Sequence, residues 1–187
     1  MKTNLTLLFL LLPWLLQAQE ENTEKKQSGY FNYTSIGSLI GSKNDDKTYI
    51  TSLLMEHNYQ FNKNWAVGLV TGVEWLDVTV MPLGPNIKGF LPGTNGSSFF
   101  AGLSSGYAFA LEGMEFYEYE IKETKGGYFL NTELGYILPS KKDYSVFIAM
   151  GYRYHEFEFV RADWALEEVE RKTTYNRFSI RIGVQLF

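Results

Sequence analysis

Apolar and polar residues alternate with a period of two along most of this chain, as they do in strands whose two faces meet different surroundings. In the stretch "YNRFSIRIGVQLF", Phe178, Ile180, Ile182, Val184 and Leu186 fall on one face. Arg177, Ser179, Arg181, Gly183 and Gln185 fall on the other. Strand-like runs separated by turn chemistry are predicted at roughly 30–41, 49–61, 65–78, 80–90, 98–110, 127–138, 144–159 and 173–186. The third sets Trp65, Val67, Leu69, Thr71, Val73 and Trp75 against Ala66, Gly68, Val70, Gly72 and Glu74. The seventh sets Val146, Ile148, Met150, Tyr152 and Tyr154 against Ser145, Ala149, Gly151, Arg153 and His155. The facing of the first run is ambiguous, and Pro82 and Pro85 weaken the fourth. No segment carries a convincing helical period, although Ala162 to Lys172 is expected to hold a turn or two of helix within a loop.

A period of two does not say which face is wet. In a soluble sheet the apolar face goes inward; in a membrane barrel it meets lipid and the polar face lines the lumen. Three features favour the barrel. The non-apolar face is mostly Gly, Ala and Ser with an isolated charge on most strands, which suits the crowded interior of a narrow barrel. Rings stand near both ends of the apolar bands: Tyr49 and Tyr59, Trp65 and Trp75, Tyr128 and Tyr136, Tyr144 and Tyr154. The even-numbered connections (62–64, 92–97, 139–143) are short, whereas three of the odd-numbered ones (42–48, 111–126, 161–172) are longer. Asp77 to Thr79 is the exception. Short turns on one side and long loops on the other mark outer-membrane barrels, the short side being periplasmic. The predicted fold class is all-β, an eight-stranded antiparallel up-and-down transmembrane β-barrel over 29–187. On this reading Leu69→Arg costs about 2–4 kcal/mol near the midplane, while Gly72→Ser on the lumen side is expected to be mild.

Composition narrows the class further. Aromatics make up 17% of the chain, with 13 Tyr and 14 Phe, which favours pleated structure. A net charge of -4 leaves no basic footprint for nucleic acid. With 0 Cys, disulfides, thiolate metal sites and a lipidated cysteine are excluded. Residues 1–18 have the layout of a secretory signal peptide: Lys2, an apolar core from Leu5 to Leu16, and Ala18 before the cut. Residues 19–28 are charged and read as a disordered lead-in.

The stretches "HNYQFNKNWAVGLVTGVEW", "SSFFAGLSSGYAF", "GGYFLNTELGY", "VFIAMGYRY" and "SIRIGVQLF" span most of the chain after the signal. In their order and spacing the chain resembles the small eight-stranded outer-membrane barrels, OmpX-like and OmpA-transmembrane-like, and especially the outer membrane protein β-barrel domain type of Bacteroidota. Phe187 departs from the pattern, since it falls out of phase with the lipid-facing residues. The resemblance implies the outer membrane of a Gram-negative bacterium, and the chain is expected to be a monomer; with the short turns periplasmic, an even strand number places both termini on that side. Its partners would be outer-membrane lipid, lipopolysaccharide and the barrel-assembly machinery. It would have no cofactor.

Glu56, Glu74 and Glu133 fall on the lumen phase with Lys88, Arg153, Arg177 and Arg181, and His155 stands near one end. An eight-stranded barrel has room only for its own side chains, so these seven are expected to form a salt-bridge network that plugs the lumen. The alternatives are a lipid A acyl hydrolase or transferase, and then a narrow channel. Acyl chemistry would need a serine and a carboxylate beside a histidine. Only His57, on the lipid phase, and His155 are available, and no serine is placed beside His155 on an adjacent strand. Two histidines on non-adjacent strands make no metal cluster. The long connections carry aromatic and acidic residues, Phe116, Tyr117, Glu118, Tyr119 and Glu120 in one and Trp164 in another. This rim is the candidate extracellular surface for a protein ligand. The predicted role is non-enzymatic, structural or surface-binding.

Overall fold

Each strand lies beside its neighbour in sequence: β1 (Gly29–Ile40), β2 (Tyr49–Asn62), β3 (Trp65–Trp75), β4 (Thr79–Pro92), β5 (Ser98–Ala110), β6 (Ile121–Ile137), β7 (Tyr144–Ala162) and β8 (Glu168–Leu186). All pairs are antiparallel, and β1 closes on β8 from Asn32 opposite Leu186 to Ile40 opposite Phe178. The computed structural model describes residues 28–41, 48–76, 78–93, 97–111, 121–139, 143–162 and 168–187, with backbone alone at 121–125, 159–162 and 168–171. The expected signal peptide (1–18) and lead-in (19–27 of 19–28) lie outside the described residues. The end where β1 begins and β8 ends is termed basal, the opposite end apical.

Alternation becomes inside and outside. Leu69, Leu134, Ile148, Met150, Ile180 and Ile182 are all more than half exposed on the outer wall. So continuous an apolar belt is intelligible against lipid and not against water. Exposed rings stand at both ends of the belt, among them Tyr30, Tyr59, Trp65 and Tyr144 basally and Tyr49, Trp75, Tyr128 and Tyr152 apically. The basal turn after β2 is fixed by Asn62, whose Oδ1 accepts the Asn64 and Trp65 N–H groups at 2.8 and 2.9 Å. This is the side-chain turn mimicry that asparagine provides.

Five expectations need correction or completion. β4 is continuous through Pro82 and Pro85. Its ladder to β3 skips Pro82 and its ladder to β5 skips Pro85, so each missing N–H falls on a different side of the strand. The pair Gly126–Gly127 does not begin β6. Gly126 has φ 73 and marks a bulge beyond which β6 reaches back to Ile121. The helical turn expected at 162–172 is not formed at 168–172, which is the start of β8. β1 also resolves: Phe31, Tyr33, Ser35 and Leu39 are buried, while Tyr30 and Ile36 are exposed. Finally, Gly72 has no room for a side chain. A Cβ there would meet the Leu53 carbonyl oxygen at 2.1 Å and Leu54 Cδ2 at 2.8 Å, so serine is not a mild change.

Candidate functional site

The lumen is filled in three tiers. At the basal end Phe31, Tyr33, Phe90, Phe100 and Phe147 form an aromatic cluster with Ala66, Ile137 and Ala149. Tyr33 stacks on Phe147 at 4.5 Å and meets Phe100 edge-on at 5.7 Å. Apically, Leu39, Ile50, Leu54, Val70, Val80, Phe129 and Phe157 belong to a second apolar cluster. Between them lies the charge.

Its lower layer takes one residue from each even-numbered strand: Glu56 from β2, Lys88 from β4, Glu133 from β6 and Arg181 from β8. Sign alternates around the ring. Lys88 Nζ lies 2.8 Å from Glu56 and also pairs with Glu133; Arg181 pairs with Glu133 and reaches Glu56 at 3.6 Å. Each ion therefore has two neighbours of opposite charge, the geometry a buried ion needs to offset its desolvation. Asn86 donates to Glu56 at 3.3 Å. Gly102 leaves the space that Glu133 occupies, since a Cβ there would lie 2.7 Å from its Oε1. Lys88 also stands 4.9 Å from the ring centres of Tyr33 and Phe100, which couples the ring to the aromatic tier.

The upper layer is centred on Glu74. Arg153 Nη2 lies 3.1 Å from its Oε2, His155 Nε2 lies 2.6 Å from the same oxygen, and Ser52 Oγ donates to Oε1 at 3.1 Å. Arg153 Nε is 2.9 Å from the same imidazole nitrogen. The Arg153 guanidinium lies over the Phe129 ring at 4.2 Å, joining this layer to the apical cluster. Arg177 stands opposite Arg153 in register and over Tyr175 at 5.4 Å. All seven charged residues are buried, and six of them fall into the two layers, with Arg177 beside the upper one. His155 is a member that the sequence pattern placed only near one end. Its partner Glu74 comes from across the barrel, and period-two facing says nothing about which strands oppose one another.

Ser52, His155 and Glu74 are thus together, but in the wrong order for nucleophilic catalysis. A triad sets the imidazole between hydroxyl and carboxylate. Here the carboxylate stands between hydroxyl and imidazole, and all three residues are fully buried. Among the described residues no cluster of His, Cys, Asp and Glu could hold a metal. The rim residues Phe116, Tyr117, Glu118, Tyr119, Glu120 and Trp164 lie outside the described residues.

Beyond the apical girdle the outer faces of β7 and β8 carry polar pairs. Tyr152 donates to Asn176 at 2.6 Å, Tyr154 donates to Glu156 at 2.9 Å, and Lys172 pairs with Glu156. The Lys172 ammonium, followed by the Tyr154 hydroxyl, holds the Glu156 carboxyl below its ordinary range. Glu156 in turn raises Lys172.

No family model and no curated protein matches the chain. Solved structures do. The outer membrane protein OprG from Pseudomonas aeruginosa has a TM-score of 0.66 at 13% identity, over 86% of this chain and 96% of that one. AlkL, solved in lipid bilayers, gives 0.59 at 12%, over 90% and 93%. Neisserial surface protein A gives 0.57 at 12%, over 85% and 97%. At such identities the likeness is one of fold: the chain has the fold of the small eight-stranded outer-membrane barrels.

Proposed function

We propose that this protein is a non-enzymatic barrel of the Gram-negative outer membrane, with a permanently plugged lumen and a structural or surface-binding role. The observation that carries the reading is the alternating ring of Glu56, Lys88, Glu133 and Arg181 held between two apolar tiers. A channel needs a continuous wet path, whereas here the charges compensate one another and packed side chains lie both above and below. An acyl hydrolase or transferase needs a reachable imidazole beside a hydroxyl, and His155 is neither reachable nor so placed. In this proposal the basal end is periplasmic and the apical end, where β6, β7 and β8 extend furthest, faces outside. Protein ligands and lipopolysaccharide would meet that end. Purified protein in a planar bilayer tests the plug. The expected record is a quiet baseline, and stable, reproducible ohmic steps would overturn the reading.

A further inference from the structure

Close to the basal aromatic belt, the outer faces of β1 and β2 carry a group of hydrogen-bonded polar residues. Thr34 Oγ1 donates to Asn32 Oδ1 at 2.8 Å. Asn32 Nδ2 donates to the Glu56 carbonyl at 3.2 Å and approaches His57 Nδ1 at 3.4 Å. The Tyr30 hydroxyl lies 2.5 Å from the same Nδ1, with its ring stacked on the imidazole at 6.1 Å. An amide nitrogen only donates, and the Thr34 bond fixes which end of the Asn32 amide is the nitrogen. Nδ1 is therefore the acceptor for both approaches. The imidazole proton belongs on Nε2, and among the described residues nothing accepts it.

His57 is exposed on the outer face, one outward position inside Tyr59 along β2, and opposite Asn32 in register. This is the depth at which the aromatic belt gives way to the lipid tails. A donor pointed there by three supporting residues has no place in a purely hydrocarbon contact, because an unmet N–H is costly in lipid. Phospholipid phosphate and ester oxygens lie at this depth and only accept. Lys63, exposed in the turn that follows β2 on the same hairpin, adds a cation on the headgroup side.

We infer that Tyr30, Asn32, Thr34 and His57 form a phospholipid headgroup site in which His57 Nε2–H donates to the lipid phosphate. This rests on the membrane reading above. The chain has 2 His, so ring-¹⁵N histidine labelling gives one reporter at the site and one, His155, buried in the lumen as an internal reference. The full mature chain is refolded in maltoside micelles and titrated with phosphatidylglycerol. The expected result is a saturable shift of the His57 Nε2 signal with His155 unmoved. By native mass spectrometry, His57→Phe should weaken the first bound phosphatidylglycerol about tenfold, as loss of one charge-assisted hydrogen bond predicts. Tyr49→Phe, in the apical belt, should leave it unchanged. An equal shift with phosphate-free diacylglycerol, or with inorganic phosphate alone, would overturn the phospholipid site. So would an unmoved His57 signal in protein whose gel mobility depends on heating, with the barrel itself left standing. A chain that does not fold in detergent at all removes the membrane reading and this site with it.

Discussion

Arg181 joins two carboxylates, Glu133 and Glu56, that otherwise share only Lys88. Replacing it with leucine leaves three buried ions with an excess negative charge, so Arg181→Leu should cost about 3–5 kcal/mol in a urea refolding titration. Removing an adjacent acid as well restores neutrality. The pair Glu133→Leu with Arg181→Leu should therefore be less destabilising than the sum of the two single changes, a coupling read from a double-mutant cycle. Strictly additive costs would mean that the ring is not electrostatically connected. On the outer wall, Leu69→Arg places a charge in the apolar belt and should cost about 2–4 kcal/mol near the bilayer midplane. Gly72→Ser, three residues along and facing the lumen, must displace the Leu53 backbone. It is expected to be as damaging as the lipid-face change, and refolding the two variants side by side checks this.

Strands β7 and β8 pair out to Ala162 opposite Glu168, well past the last pair of β1 with β8, and the outward Glu156–Lys172 pair lies on this extension. Glu156 has its carboxyl lowered in the folded chain, so its contribution is present at neutral pH and is lost as pH falls through that lowered value. Protection of the amides around Tyr154–Glu158 and Lys172–Asn176 from exchange should fall as pH drops through that lowered value, while the lumen-facing middle of the same strands stays protected. The effect should be small, because exposed pairs contribute little. The period-two pattern of β3, β5, β6, β7 and β8 was legible because one face of each is consistently larger and more apolar than the other. β1 was not, since Phe31 and Tyr33 point inward and Tyr30 and Ile36 outward, and an aromatic residue suits either lipid or a stacked lumen tier. The basal aromatic cluster was hidden for the same reason. β6 begins earlier than its pattern predicts because Gly126, which looks like turn chemistry, serves as a bulge within the ladder.

Taken as a whole, the barrel has a greasy outer wall and a filled lumen, and these make two demands on an intact preparation. It should run at different gel mobilities before and after boiling in detergent. Proteolysis of intact cells should cut at the apical side alone, and cleavage that requires a breached outer membrane would reverse the orientation proposed above. The alternating ring has a further consequence, for assembly. Its four members come from β2, β4, β6 and β8, so no hairpin contains a neutralised set and the last cation arrives with the last strand. If β8 slid by one residue against β1 and β7, Arg181 would turn into lipid and Ile182 into the ring, leaving Glu133 and Glu56 short of a counter-ion. The ring thus acts as a proofreading device. Only the native register of a fully closed eight-strand wall brings it to neutrality, and a near miss carries its own penalty.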